Sequence, residues 1–192
     1  MKAIFFVLIG FIRIDSVICQ MPILSDPIDA SAKILVSLES RPLQLSVTRN
    51  CNFHNLKPGF NYKSIAAEIG TPYNIIPCNG EEQFEPARIE IDGNPFSAII
   101  VSFQLVGKIY NNENEWDFIS MGYDNNSASV VDESTGNYHF FNPLNGTLLH
   151  LPENGKKAVI YLGGNPMVPS NAPAGIYTGE EIITVSYTGN SI

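Results

Sequence analysis

Charge is scarce in this chain. Only 16% of its 192 residues are Asp, Glu, Lys or Arg, and acidic residues outnumber basic ones by 19 to 11. A formal net charge of −8 without any basic cluster lacks the footprint of a nucleic-acid or anionic-membrane binder, and excludes both as expected partners. Long apolar runs are also missing. The longest, Ala3–Ile12, holds ten residues, about half of what a bilayer-spanning helix needs. A sustained helical period is absent too, which argues against a helical bundle.

The residues of chemistry are few and scattered. His54, His139 and His150 form no spaced ligand pair and read as isolated surface or rim histidines. Asp124-Asn125-Asn126 lacks the alternating oxygen ligands, glycine and closing glutamate of an EF-hand. No nucleophile elbow, phosphate loop or dinucleotide fingerprint is present. Glu81-Glu82, Glu113/Glu115/Asp117, Asp132-Glu133 and Glu180-Glu181 fall where solvated turns are expected. Glycoside hydrolysis would need two of them facing across a cleft. The expectation is a non-enzyme with no catalytic, cofactor-binding or metal-binding residue.

What is present begins with a secretion signal over residues 1–20. Lys2 supplies the positive start, Ala3–Ile12 the apolar core, and Ser16–Cys19 smaller residues near a cleavage point. Cys19 is alternatively a lipid-modified residue. Export to the periplasm, cell surface or extracellular space is expected either way. Two further cysteines, Cys51 and Cys78, form a disulfide candidate in an oxidising compartment, with two buried free thiols as the other reading.

Residues 21–192 read as one domain, after a loosely ordered leader at 21–29 containing Pro22 and Pro27. Ala30, Ala32, Ile34, Val36 and Leu38 alternate with mostly polar neighbours, the pattern of a strand with one buried face. Leu43, Leu45 and Val47 make a second strand. A third begins at Arg88–Ile91, turns at Gly93-Asn94-Pro95, and returns through Ile99, Val101, Phe103 and Leu105. Phe60–Gly80 reads as an insert-like loop with one helical turn at Ser64–Ile69, and Asp124–Ser129 as a turn or exposed loop. Asn125-Asn126-Ser127 and Asn145-Gly146-Thr147 fit the glycosylation pattern and are read as turns. Short strands follow at Tyr138–Phe141, Thr147–Leu151, Ala158–Leu162 and Ile182–Tyr187. Eight to ten short strands with turns between them predict an all-β, antiparallel, immunoglobulin-like β-sandwich.

The closing block carries a resemblance. Gly163-Gly164, a Pro-rich spacer, Pro173-Ala174-Gly175-Ile176-Tyr177-Thr178-Gly179 and a strand ending in Tyr187 resemble the end of secreted bacterial pilin-like domains. The match in style is to the domain-of-unknown-function 4402 family, related to spore coat U and fimbrial subunits. Leu43–Gly59 and the hairpin from Ala87 resemble the family's opening block and central hairpin. Cys51 and His54 depart from it, so the family does not imply a disulfide. The resemblance implies a non-enzymatic structural subunit of a pilus, fibre or surface layer that self-associates. Pilin-like subunits do so by accepting a neighbour's strand at an open sheet edge. Ala30–Leu38 is then the candidate donor, or else the first strand of its own sandwich. The alternative function is an adhesin or carbohydrate-binding module, with Trp116, Tyr110 and Tyr123 as a glycan platform, unless Trp116 belongs to the core.

Overall fold

The computed structural model describes residues 42–68, 74–78, 81–132, 135–153 and 156–189. The signal at 1–20, the leader at 21–29 and the Ala30, Ala32, Ile34, Val36, Leu38 strand lie outside the described residues. Among those described, the protein is all-β, with one 3-10 turn at Pro143–Asn145 and no α-helix. Among the described residues no helix is long and apolar enough to cross a membrane.

In chain order the strands are β1 (Gln44–Arg49), β2 (Asn52–His54), β3 (Lys63–Ser64), β4 (Ile75–Ile76), β5 (Gln83–Glu85) and β6 (Ala87–Asp92). Then come β7 (Ala98–Gln104), β8 (Lys108–Asn111), β9 (Phe118–Gly122), β10 (Ala128–Asp132), β11 (Asn137–Phe141) and β12 (Thr147–His150). The last are β13 (Ala158–Leu162), β14 (Asn165–Met167), β15 (Tyr177–Thr178) and β16 (Ile182–Tyr187). A five-stranded sheet has the order β1-β6-β13-β10-β11 and a three-stranded sheet the order β12-β7-β16. A four-stranded sheet, β14-β9-β8-β15, and the pairs β2-β5 and β3-β4 complete the described set. Every pairing between these strands is antiparallel.

Side-chain alternation explains how the two larger sheets meet. In β6, Ala87, Ile89 and Ile91 are buried while Arg88, Glu90 and Asp92 between them are half-exposed. Ile99 and Val101 of β7 alternate the same way and join those three, with Ile160 and Leu162 of β13, in one core. Two apolar faces pressed together in this manner make a sandwich. β13 is buried at all five positions. Its inward residues fill the core, and its outward Val159 and Tyr161 are covered by Ala66, Val131 and Tyr138. A second core, under β9 and β5, gathers Tyr62, Ile75, Phe84, Ile119 and Val168.

Four sequence expectations are corrected. Phe60–Gly80 is no loose insert, since Tyr62, Ala66, Ala67 and Ile75 within it are buried. The helical turn at Ser64 gives way to β3, because Ser64 N–H donates to Asn165 Oδ1 and its hydroxyl to the Gly164 carbonyl at 2.7 Å. The loop at Asp124–Ser129 ends early: Ala128 and Ser129 already belong to β10, fully buried, with the Ser129 hydroxyl donating to the Ala66 carbonyl. Cys51 and Cys78 are unpaired thiols. Both pack on the second core and Cys51 on the first as well, while the Cys78 thiol donates to the Glu82 carbonyl at 3.5 Å.

Candidate functional site

The sandwich is unequal, five strands against three, and the mismatch leaves one side open. β1 closes one end of the five-stranded sheet, and β16 ends the three-stranded sheet on the same side. Register fixes which way β1 faces. Leu45 stands opposite Ile91 and Val47 opposite Ile89, and both isoleucines point into the core. Residues opposite one another in an antiparallel pair share a face. Leu45 and Val47 therefore point inward, yet they are 40% and 51% exposed. No strand among the described residues covers them.

β16 supplies the facing edge. Ile183, Val185 and Tyr187 point inward opposite Phe103, Val101 and Ile99, and among the described residues β7 is its only strand partner. Among those residues no strand pairs with the outer edge of β16, the arrangement on which a further strand can form. Between β1 and β16 opens a groove of about 1250 Å³, with Ala87, Ile89 and Leu162 in its floor and Val47 and Ile183 in its walls. Its lining is mainly apolar.

Three polar groups sit at one end. The Tyr123 hydroxyl lies 2.6 Å from Glu181 Oε1 and 2.9 Å from the Val106 carbonyl oxygen. Burial pushes the Glu181 carboxyl above the usual carboxylate range, partly offset by the Tyr123 hydrogen bond. Burial, then Glu181, pushes the Tyr123 phenol well above its ordinary value. Cys51 lines the same groove, and burial followed by the Glu181 charge raises its thiol to about 12. In all three groups burial disfavours the charged form.

The closing-block residues turn out to be packing devices around this groove. A Cβ on Gly163 would stand 2.5 Å from Phe84 Cζ, and one on Gly164 2.7 Å from Met121 Cε. At Gly175 and Gly179 it would meet Asn111 Nδ2 at 2.7 Å and Ile109 Cγ2 at 2.8 Å. Tyr177 donates its hydroxyl to the Pro173 carbonyl at 2.8 Å, pinning the loop that roofs the groove. Tyr187 accepts from Asn94 N–H at 2.8 Å and so ties β16 to the β6–β7 turn.

The glycan platform does not assemble. Tyr110 packs on Phe118, its partner in the β8–β9 pair, with ring centroids 6.2 Å apart. Tyr123 lies five residues beyond Phe118, roughly 17 Å along the strand direction, and turns toward Glu181. Trp116 is no core residue: it is 82% exposed in the β8–β9 loop. The three histidines are exposed, and the described residues contain no cluster of three or more metal-ligating side chains. Two carboxylates expected in solvated turns are not there. Glu82 is buried with Lys57 Nζ 3.5 Å away, and Glu181 lines the groove.

Sequence reasoning missed the β1–β16 groove and its polar end. One signal was available for Glu181. Counting back by two from Tyr187, Val185 and Ile183 reaches residue 181, which puts its side chain on the inward face. Compared with known proteins, the chain matches no family model, no curated protein and no solved structure.

Proposed function

We propose that this chain is an exported, non-enzymatic structural subunit of a pilus, fibre or surface layer, whose copies associate by β-strand exchange. The observation that carries this reading is the bare inner face of β1 beside the free edge of β16. A strand laid along β16 would satisfy that edge and cover Leu45 and Val47. Full burial of such side chains is worth about 1.5–3 kcal/mol each, so half-covered ones leave a sizeable part of that unspent. Ala30, Ala32, Ile34, Val36 and Leu38 of a neighbouring copy have the required alternation, with apolar residues for the groove and Ser31, Lys33 and Ser37 for the solvent side. The signal at residues 1–20 supports export, and the mainly apolar lining of the groove supports a binding rather than a catalytic role.

The test is light scattering coupled to size exclusion on the chain from Met21, with and without residues 21–38. Oligomers that grow with concentration and vanish on truncation, while circular dichroism stays β-type, are the expected result. A clean monomer whose truncated form unfolds would instead make Ala30–Leu38 a strand of its own sandwich.

A further inference from the structure

We infer that the Trp116 loop of one copy docks into a second groove on another copy, on the opposite flank of the sandwich. The contact uses neither β1 nor β16, and stands on different observations from strand exchange.

The loop between β8 and β9 is a rigid apolar knob in an acidic collar. Asn114 Nδ2 donates to Asp117 Oδ2 at 2.8 Å, Trp116 N–H to Asn114 Oδ1 at 3.2 Å, and Asn111 N–H to the Asp117 carbonyl at 2.9 Å. Held this way, Trp116 projects into solvent, 82% exposed. It is the only tryptophan of the chain. Glu113, Glu115 and Asp117 surround it, and among the described residues none of the three carboxylates has a cationic partner. An indole left this bare is unusual for a residue whose large apolar surface favours burial.

The receiving groove lies where β11 and β12 end their sheets. Its volume is about 720 Å³, ample for an indole, and Phe96, Leu148, His139, His150, Lys156 and Lys157 line it. Among the described residues Glu153 is its one lining carboxylate. Lys156 meets Glu153 at 2.7 Å and Lys157 meets Glu90 at 2.6 Å. The Lys156–Glu153 pair is exposed on both sides and so contributes little, whereas Glu90 is only 14% exposed. With two lysines and one carboxylate among its described lining residues, this is a mildly basic, apolar concavity in a chain of net charge −8, and the Trp116 loop is an acidic, apolar convexity. Phe96 adds an independent sign of use. It is 68% exposed and sits at φ 60, a left-handed conformation that a bulky residue rarely adopts. Such strain is characteristic of binding surfaces.

Knob and groove are different surfaces, so the contact is heterologous, and each copy keeps one free knob and one free groove. Repetition gives an open chain of subunits unless the rotation closes a ring.

The single tryptophan makes the test direct. Fluorescence is recorded on the full chain from Met21 over a concentration series, with acrylamide quenching. The expected result is a blue shift and a several-fold fall in quenching as concentration rises, both reversed by molar salt. Leu148→Glu, on an exposed side chain, abolishes the change, as does Lys156→Glu with Lys157→Glu. Adding Glu113→Lys and Glu115→Lys to that charge-reversed groove restores it. The chain lacking residues 21–38 keeps the blue shift even where strand exchange is lost. Trp116 emission equally quenched at every concentration, or a shift that survives in Leu148→Glu, overturns the docking.

Discussion

Tyr123 and Glu181 meet over a single phenolic proton that has two acceptors, Glu181 Oε1 at 2.6 Å and the Val106 carbonyl at 2.9 Å. The phenol donates to the carboxylate, a bond that favours the charged form and partly offsets the burial that raises the Glu181 pKa.

Because burial outweighs that bond, the folded protein binds the Glu181 proton more tightly than the unfolded chain, whose carboxyl titrates near pH ~4.3. Stability from this group falls as pH rises from there through its raised folded pKa. Glu181→Gln keeps the acceptor and removes the charge. Its gain in Tm over the parent is therefore small near pH 4 and grows toward pH 8. Thermal melts across that range check it, and a gain independent of pH would contradict the assignment.

Glu90 should behave in the opposite sense. Lys157 first, then Arg88, hold its carboxyl below the usual range by hydrogen bonding. This contribution is present above the unfolded value and is lost as pH falls through the lowered folded one. Glu90→Gln lowers Tm at pH 7 modestly, since its Lys157 partner is half-exposed, and the difference closes as pH falls below the usual carboxylate range. Raising salt at pH 7 narrows it as well.

Cys51 should be a poor nucleophile. With its thiol near 12, only about one molecule in ten thousand is thiolate at pH 8. Alkylation of Cys51 by iodoacetamide, followed by mass spectrometry, is expected to be slow in the folded protein and fast in urea. Labelling of the folded form at the rate of a free thiol would show that the groove end is wetter than described.

Gly163→Ala tests the packing beside the floor of the groove. The added methyl meets both Phe84 Cζ and, at 3.0 Å, Ser64 Oγ. Overpacking of this kind destabilises by about 1–3 kcal/mol. A urea midpoint equal to that of the parent would mean that the Phe84 ring yields freely.

Strands announced by alternation were legible in the sequence. Ile182–Tyr187 appears as β16 residue for residue, Ala158–Leu162 as β13, and the two strands of Arg88–Leu105 as β6 and β7 within a residue or two. These last two lie in different sheets and form no hairpin, since the turn between them crosses from one face of the sandwich to the other. β8 and β9 were not legible. Polar Asn112–Glu115 separates them, and their apolar residues serve a second core built by contacts distant in sequence, such as Tyr62 with Val168. The groove was hidden for a related reason. Alternation shows that Leu45 and Val47 share a face, but how much of that face is covered depends on how many strands stand opposite. Glycine likewise marked turns at Gly163-Gly164, while its closeness to Phe84 and Met121 emerges only from packing.

β6 pairs on one side with β1, where Ile89 meets Val47, and on the other with β13, where Ile89 meets Ile160. Those partners stand 89 − 47 = 42 and 160 − 89 = 71 residues away. Closing such wide loops before any contact rewards them makes assembly slow. During synthesis the middle of the larger sheet must therefore wait, with β6 unpaired on one flank, until β13 has left the ribosome. A chain halted before residue 158 has no central strand on which to build, and its exposed apolar edges make it a ready client for chaperones or proteases.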